Sequence, residues 1–169
     1  MAGMAHLGVG LAAKRAAPKT NVTILILAAY AIDLIWGIFY FVGIEHMSED
    51  GAAGTNPWSH GLFMSLVWSL LVGGIAFWVS RKRNTGLIVG LLVFSHWVMD
   101  FISHPMKAVF PSDTGLPLLF ENSPVVGLGV WSTRLGLNIG EYGTLALGIM
   151  VYIFTLWQLR REKRQHHVE

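Results

Sequence analysis

Three side chains that bind protons or metals stand four residues apart in the stretch "FSHWVMDFISHP": His96, Asp100 and His104. On an α-helix, four residues advance about 400°, so each is turned about 40° from the last and all three face one way. A His followed four residues later by a carboxylate can share one metal ion or hydrogen-bond to each other. Three further groups belong to the same chemistry: His6 in "MAHLGVG", Asp33 in "AIDLIW" and His60 in "PWSHGLF". There is no cysteine, so thiolate metal sites, disulfides and thiol nucleophiles are excluded, and any metal must sit on His, Asp or Glu.

These groups lie in a chain that reads as a membrane protein. Of its 169 residues 53% are hydrophobic and 13% charged, about half the charged share of a soluble domain. Mean hydropathy is +0.53. The expectation is one all-α domain (1–169). Four stretches suit transmembrane helices of about 20 apolar residues: 21–43, 60–80, 85–104 and 139–159. Trp58, Trp78, Tyr40, Tyr142 and Trp157 near their ends fit an interfacial belt. The N-terminal stretch 1–17 is too short to span. It reads as an interfacial helix or as a half-helix dipping into the bundle. Segment 105–138, with Pro105, Pro111, Pro117 and Pro124, reads as a long outer cap, and 160–169 as a solvated tail.

Lys14, Arg15, Lys19, Arg81, Lys82, Arg83, Arg160, Arg161, Lys163 and Arg164 fall on one side of these spans, leaving only Lys107 and Arg134 of the 12 basic residues on the other. Glu49 and Asp50 join the second side. The positive-inside rule then makes both flanking basic segments cytoplasmic. Counted from Arg83, His96 lies about 20 Å and Asp100 about 25 Å up the third span. Asp33 lies about 18 Å up the first, and His6 about 12 Å deep if the N-terminal stretch is a half-helix. His60 enters from the opposite face. The depths are compatible with one cluster of His6, Asp33, His60, His96 and Asp100.

Ionisable groups inside a membrane are costly and by default mark a functional site. Nitrogen and oxygen donors without thiols suit zinc first, then manganese or iron. The alternatives are a metal-free proton or ion pathway, or interhelical hydrogen bonds that only hold the bundle. Ser59, Ser95 and Ser103 adjoin the histidines and could hydrogen-bond to them. Glu45, His46 and Glu141, at outer span ends, read as interfacial groups, with Glu141 able to reach the mouth of the site.

The pieces "HLGVGLAA", "AID", "SHGLFMSL", "SHWVMDFISHP" and "GLPLLF", in this order and spacing, resemble the YdjM-like (LexA-regulated type) family of bacterial inner-membrane metal-dependent hydrolases. The resemblance covers most of the chain from His6 to about Phe120 and implies His6, Asp33, His60, His96 and Asp100 as site residues. It is a divergent likeness. Ala31-Ile32-Asp33-Leu34-Ile35 keeps one acid of a Pro-Asp-x-Asp-His run, and Asn56-Pro57-Trp58-Ser59-His60-Gly61 lacks the first His of the next run. A thinned site of this kind points to one metal, with His104 as a supplementary donor. Intramembrane zinc amidases such as alkaline ceramidases offer a second likeness, of site chemistry and not of fold.

The resulting expectation is a membrane-embedded, metal-dependent hydrolase of a lipid or lipid-linked substrate. Its metal, zinc by preference, would be held by His60, His96 and Asp100 with His6 or His104, and Asp33 would be base or orienter. Asp33 and Asp100 are the expected catalytic carboxylates. The other readings are a proton-coupled permease, which with four spans would need a homo-oligomer, and a non-catalytic subunit of a membrane complex. No phosphate-cradling glycine motif and no nucleic-acid signature is present.

Overall fold

The computed structural model of the protein describes residues 3–47 and 56–165. Glu49, Asp50 and the tail histidines His166 and His167 lie outside the described residues. The fold is mostly helical: α1 (Gly3–Ala12), α2 (Val22–Ala29), α3 (Ala31–Phe41), α4 (Leu62–Ser80), α5 (Arg83–Ser103), α6 (Arg134–Asn138) and α7 (Thr144–Gln165). Two two-residue strands, β1 (Leu116–Pro117) and β2 (Val125–Val126), pair antiparallel in the long connection before α6.

Among the described residues, three helical stretches are long and apolar enough to cross a membrane: Leu62–Ser80, Arg83–Ser103 and Arg134–Gln165. A fourth crossing requires joining α2 and α3, which meet at a 56° bend. The first expected span is therefore broken at Tyr30 (φ −97°, ψ 3°). The last stretch begins earlier and ends later than expected, because α6 runs through a wide π-helical turn (Ile139–Gly143) into α7.

α1 packs between α7 and α2 and buries Ala5, His6, Gly8 and Gly10, so it enters the bundle and does not lie on its surface. Glycine makes this contact possible. A Cβ on Gly148 would overlap Gly8 O, and one on Gly8 would stand 2.5 Å from Thr144 O. The α1 and α7 backbones touch there.

The bundle is apolar outside and polar within. Leu70, Val79 and Trp78 on α4 and Leu147, Met150 and Ile153 on α7 are exposed, as a lipid solvent favours. Meanwhile His6, Glu45, Ser59, His60, His96 and Asp100 are buried. An apolar cluster of Leu25, Ala28, Ile32, Val89, Leu92 and Val93 underlies α2, α3 and α5. A second cluster joins Ala5, Met106 and Trp131. Ile32 precedes Asp33 and Ala5 precedes His6, so each site residue rides on a buried apolar neighbour.

At one end of the bundle Lys19, Lys82 and Arg83 line one cleft, and Lys14, Lys19, Arg160 and Lys163 line a second. Six of the ten basic residues that the sequence assigns to one membrane face thus line these two clefts.

Candidate metal centre

α5 supplies the base of the site. Gly86, Val89, Leu92, Val93, His96, Asp100 and Ser103 form its buried stripe, at the spacing of one helix face. The stripe is apolar up to Val93 and then becomes polar. His96 and Asp100 therefore project together into the bundle, and His96 Nε2 lies 3.4 Å from Asp100 Oδ2.

The break at Tyr30 serves the site twice. It makes Asp33 a first-turn residue of α3, where a carboxylate is favoured by the helix dipole. It also makes Ala29 O a helix-end carbonyl, one of the acceptors that lack an intrahelical donor. His96 Nδ1 donates to that carbonyl at 2.8 Å. A carbonyl can only accept, so the proton of neutral His96 is on Nδ1 and Nε2 is bare.

His60 arrives from the turn before α4. Its Nδ1 is 2.8 Å from Ser59 Oγ, and Ser59 Oγ donates its only proton to Glu45 Oε2 at 2.6 Å. Ser59 thus accepts from His60 Nδ1, and in neutral His60 the Nε2 is bare as well. It lies 3.5 Å from Asp33 Oδ1 and 3.7 Å from Asp100 Oδ2. His96 Nε2 is 3.6 Å from Asp33 Oδ1. The four atoms alternate nitrogen, oxygen, nitrogen, oxygen around a closed circuit.

His6 completes the cluster from α1. Its ring stacks on His96 with centroids 3.7 Å apart and planes 11° apart. Its Nε2 is 3.3 Å from Asp100 Oδ1, so one carboxylate spans both stacked imidazoles. α1 is held for this purpose from two sides. Tyr30 Oη donates to Gly3 O, and Glu141 Oε2 accepts from Ala5 N at 2.8 Å, in the first turn of α1.

Among the described residues, His6 Nε2, His96 Nε2, Asp33 Oδ1 and Asp100 Oδ1 are buried without a hydrogen-bond partner. Bare imidazole nitrogens facing carboxylate oxygens repel each other unless a proton or a metal ion lies between them. The spacing fits a metal ion. Ligands at about 2.0–2.2 Å from a tetrahedral ion stand about 3.3–3.6 Å apart, whereas hydrogen bonds between such groups are about 2.7–2.9 Å long. His6 with His96 and Asp100, and Asp33 with His60 and His96, each form a group able to hold a metal ion.

His104, expected on the same face, is elsewhere. The residue before a proline is steered out of the α region, and His104 ends α5 in extended backbone (φ −72°, ψ 148°). The 40° progression stops with the helix. Its Nδ1 lies 2.8 Å from Asp113 Oδ2 instead. Asp113 also accepts from Met106 N at 2.5 Å and Gly115 N at 2.9 Å. Burial pushes the Asp113 carboxyl up, but His104 and these amides outweigh it and hold the pKa below the ordinary value. Ser95 and Ser103 turn back to the carbonyls of Leu92 and Asp100 on their own helix, so only Ser59 supports a histidine.

Two carboxylates expected at the interface bond to other segments of the chain. Glu141 anchors α1, as above. Glu45 is 3% exposed and accepts from Trp58 N, Ser59 N and Ser59 Oγ. Nothing periodic marks Glu45, since it lies beyond the end of α3; "GIEHM" offered only an acid between apolar residues. His46 is exposed.

No family model, curated protein or solved structure matches the chain.

Proposed function

We infer that the protein is an integral-membrane, metal-dependent hydrolase acting on a lipid or lipid-linked substrate. The observation that carries this reading is the closed circuit in which Nε2 of His60 and Nε2 of His96 alternate with carboxylate oxygens of Asp33 and Asp100. Zinc is the proposed metal, because the donors are imidazole and carboxylate and their spacing suits tetrahedral coordination. The resemblance to membrane-bound metal-dependent hydrolases agrees with it.

In this reading His60, His96 and Asp100 would hold the metal, with His6, whose Nε2 is 3.3 Å from Asp100 Oδ1, as a further donor. A bound divalent metal polarises a carbonyl or phosphoryl oxygen and makes a water acidic enough to attack at neutral pH. Asp33 would accept the proton of an attacking water at Oδ1. It suits the role because it is the least enclosed of the four donors, 14% exposed at the side chain against 3% for Asp100. The substrate class follows from the surroundings. A site ringed by helices whose outer faces are apolar is reached most readily by a molecule that already partitions into the bilayer. The clustered basic residues support insertion with those ends cytoplasmic, and the resemblance points to a bacterial inner membrane.

A second reading rests on the broken span. Secondary transporters place ion sites at interrupted helices, and α2–α3 is interrupted beside the cluster. A proton relay through the same five groups would use that geometry without a metal.

Elemental analysis of protein purified in mild detergent separates the two. Near-stoichiometric zinc in the parent, lost in the His96→Ala/Asp100→Ala double variant, together with product release from lipid vesicles, is the expected result. A folded parent that takes up no metal when supplied with it overturns the hydrolase; proton uptake by reconstituted vesicles would then favour the relay.

A further inference from the structure

Glu45 lies outside the circuit of donors, yet its carboxylate is buried and controls a proton on the neighbouring turn. Oε1 accepts from the backbone N–H groups of Trp58 at 2.8 Å and Ser59 at 2.9 Å. Oε2 accepts from Ser59 Oγ at 2.6 Å. Ser59 is fully buried, so no solvent competes for its hydroxyl. Having given its proton to Glu45, Ser59 can only accept from His60 Nδ1.

We propose that Glu45 is a positioning residue that acts through Ser59 to select the metal-binding tautomer of His60. The competing tautomer is chemically attractive. With its proton on Nε2, His60 would donate into the site, toward Asp33 Oδ1 and Asp100 Oδ2, and would close it to a cation. Ser59 would permit that tautomer if its hydroxyl pointed at Nδ1. The carboxylate forbids it, because a group with acceptors only draws the hydroxyl proton away from the imidazole. A hydrogen-bond partner on the far nitrogen is what fixes the tautomer of a metal-binding histidine, and here the partner is a serine whose polarity is set by a buried acid.

Glu45→Gln tests this by reversing the chain of donors. The two backbone N–H groups hold the new side-chain carbonyl where Oε1 now is, which leaves the amide NH2 facing Ser59. Ser59 must then accept from that amide and donate to His60 Nδ1, moving the histidine proton to Nε2. The inference rests on the metal reading above. Zinc affinity is measured in detergent by chelator competition for the parent, Glu45→Gln, Ser59→Ala and the double variant, and His60 is read by ¹⁵N NMR of histidine-labelled, metal-free protein. The expected result is Nδ1–H in the parent, Nε2–H in Glu45→Gln, and zinc affinity reduced about 10- to 100-fold in that variant. The double variant should bind zinc as Ser59→Ala does, since without the hydroxyl the introduced amide has no route to His60.

A Glu45→Gln loss that persists in full in the Ser59→Ala background would mean that Glu45 only braces the 58–59 backbone, and would overturn the proposal. So would Nε2–H in the metal-free parent, a measurement that stands even if Glu45→Gln does not fold. A parent that binds no zinc refutes the metal reading. The tautomer result separately decides whether Glu45 controls His60.

Discussion

A histidine offers two nitrogens, and in this protein the partner of one decides the use of the other. His96 and His60 give their Nδ1 protons to Ala29 O and Ser59 Oγ, and both Nε2 atoms turn to the carboxylates. His104 instead turns Nδ1 to Asp113 and fastens the start of the long connection to the end of α5. Gly129 N donates to His104 O at 2.6 Å and strengthens that junction. His104→Ala should therefore leave zinc stoichiometry intact and lower the unfolding temperature, whereas His96→Ala should lose the metal; equal loss in both would return His104 to the site. The acid partner adds a pH signature. The folded Asp113 carboxyl sits below its ordinary value, so its contribution is complete above the unfolded value of about 3.9. It is lost as pH falls from there through the lowered folded value. Thermal unfolding of the parent and Asp113→Asn across this range should show the parent's advantage at neutral pH shrinking with acid. A gap that stays constant or widens as pH falls would contradict the assignment.

At the level of elements, close backbone contact fixes where the donors sit. Gly148 lies against Gly8, two residues after His6, so a side chain there must push α1 away from α7. Gly148→Leu should cost about 1–3 kcal/mol, as overpacked contacts do, and should weaken zinc binding by displacing His6. Gly74→Leu is the control, because a Cβ at Gly74 meets nothing within 4 Å. If both variants unfold and bind zinc alike, α1 does not depend on that contact. The apolar runs of α4, α5 and α7 and the His96–Asp100 pairing were legible because a helix repeats its faces, and apolar length is what a membrane demands. The bend at Tyr30 was not. "LAAYAID" contains neither Pro nor Gly, so no local signal breaks the helix. Tertiary partners occupy the break instead, with Ala29 O bonded to His96 and Tyr30 Oη to Gly3 O. Pro105 did carry the signal that His104 leaves the helix face, since the residue before proline avoids the α region. Glu45 was legible only as an acid near a span end, because its role depends on a turn brought in from residues 58–59.

Across the whole molecule, the donors come from four separate pieces of chain. His6 is on α1, Asp33 on α3, His60 on the turn before α4, and His96 and Asp100 on α5. α3 buries only Ile32, so little apolar packing holds Asp33 in place. In a membrane the outward faces of the helices gain nothing from burial against one another, and packing and polar contacts must hold the bundle. A cation at the centre would therefore be a structural tie as well as a catalyst. Ligand binding to the folded state alone stabilises it by about 2.7 kcal/mol at a free concentration 100 times Kd, and by about 4.1 at 1,000 times. Chelator should accordingly lower the unfolding temperature of the parent in detergent, and zinc should restore it in proportion to the logarithm of its free concentration. His96→Ala should respond to neither, because the circuit has lost the atom shared by both donor groups. Limited proteolysis gives a second view of the same linkage: chelated parent should be cut first in α3, which buries only Ile32 beside the donor Asp33. A parent indifferent to chelator and zinc, or a His96→Ala variant that zinc stabilises equally, would mean that the bundle stands without the ion.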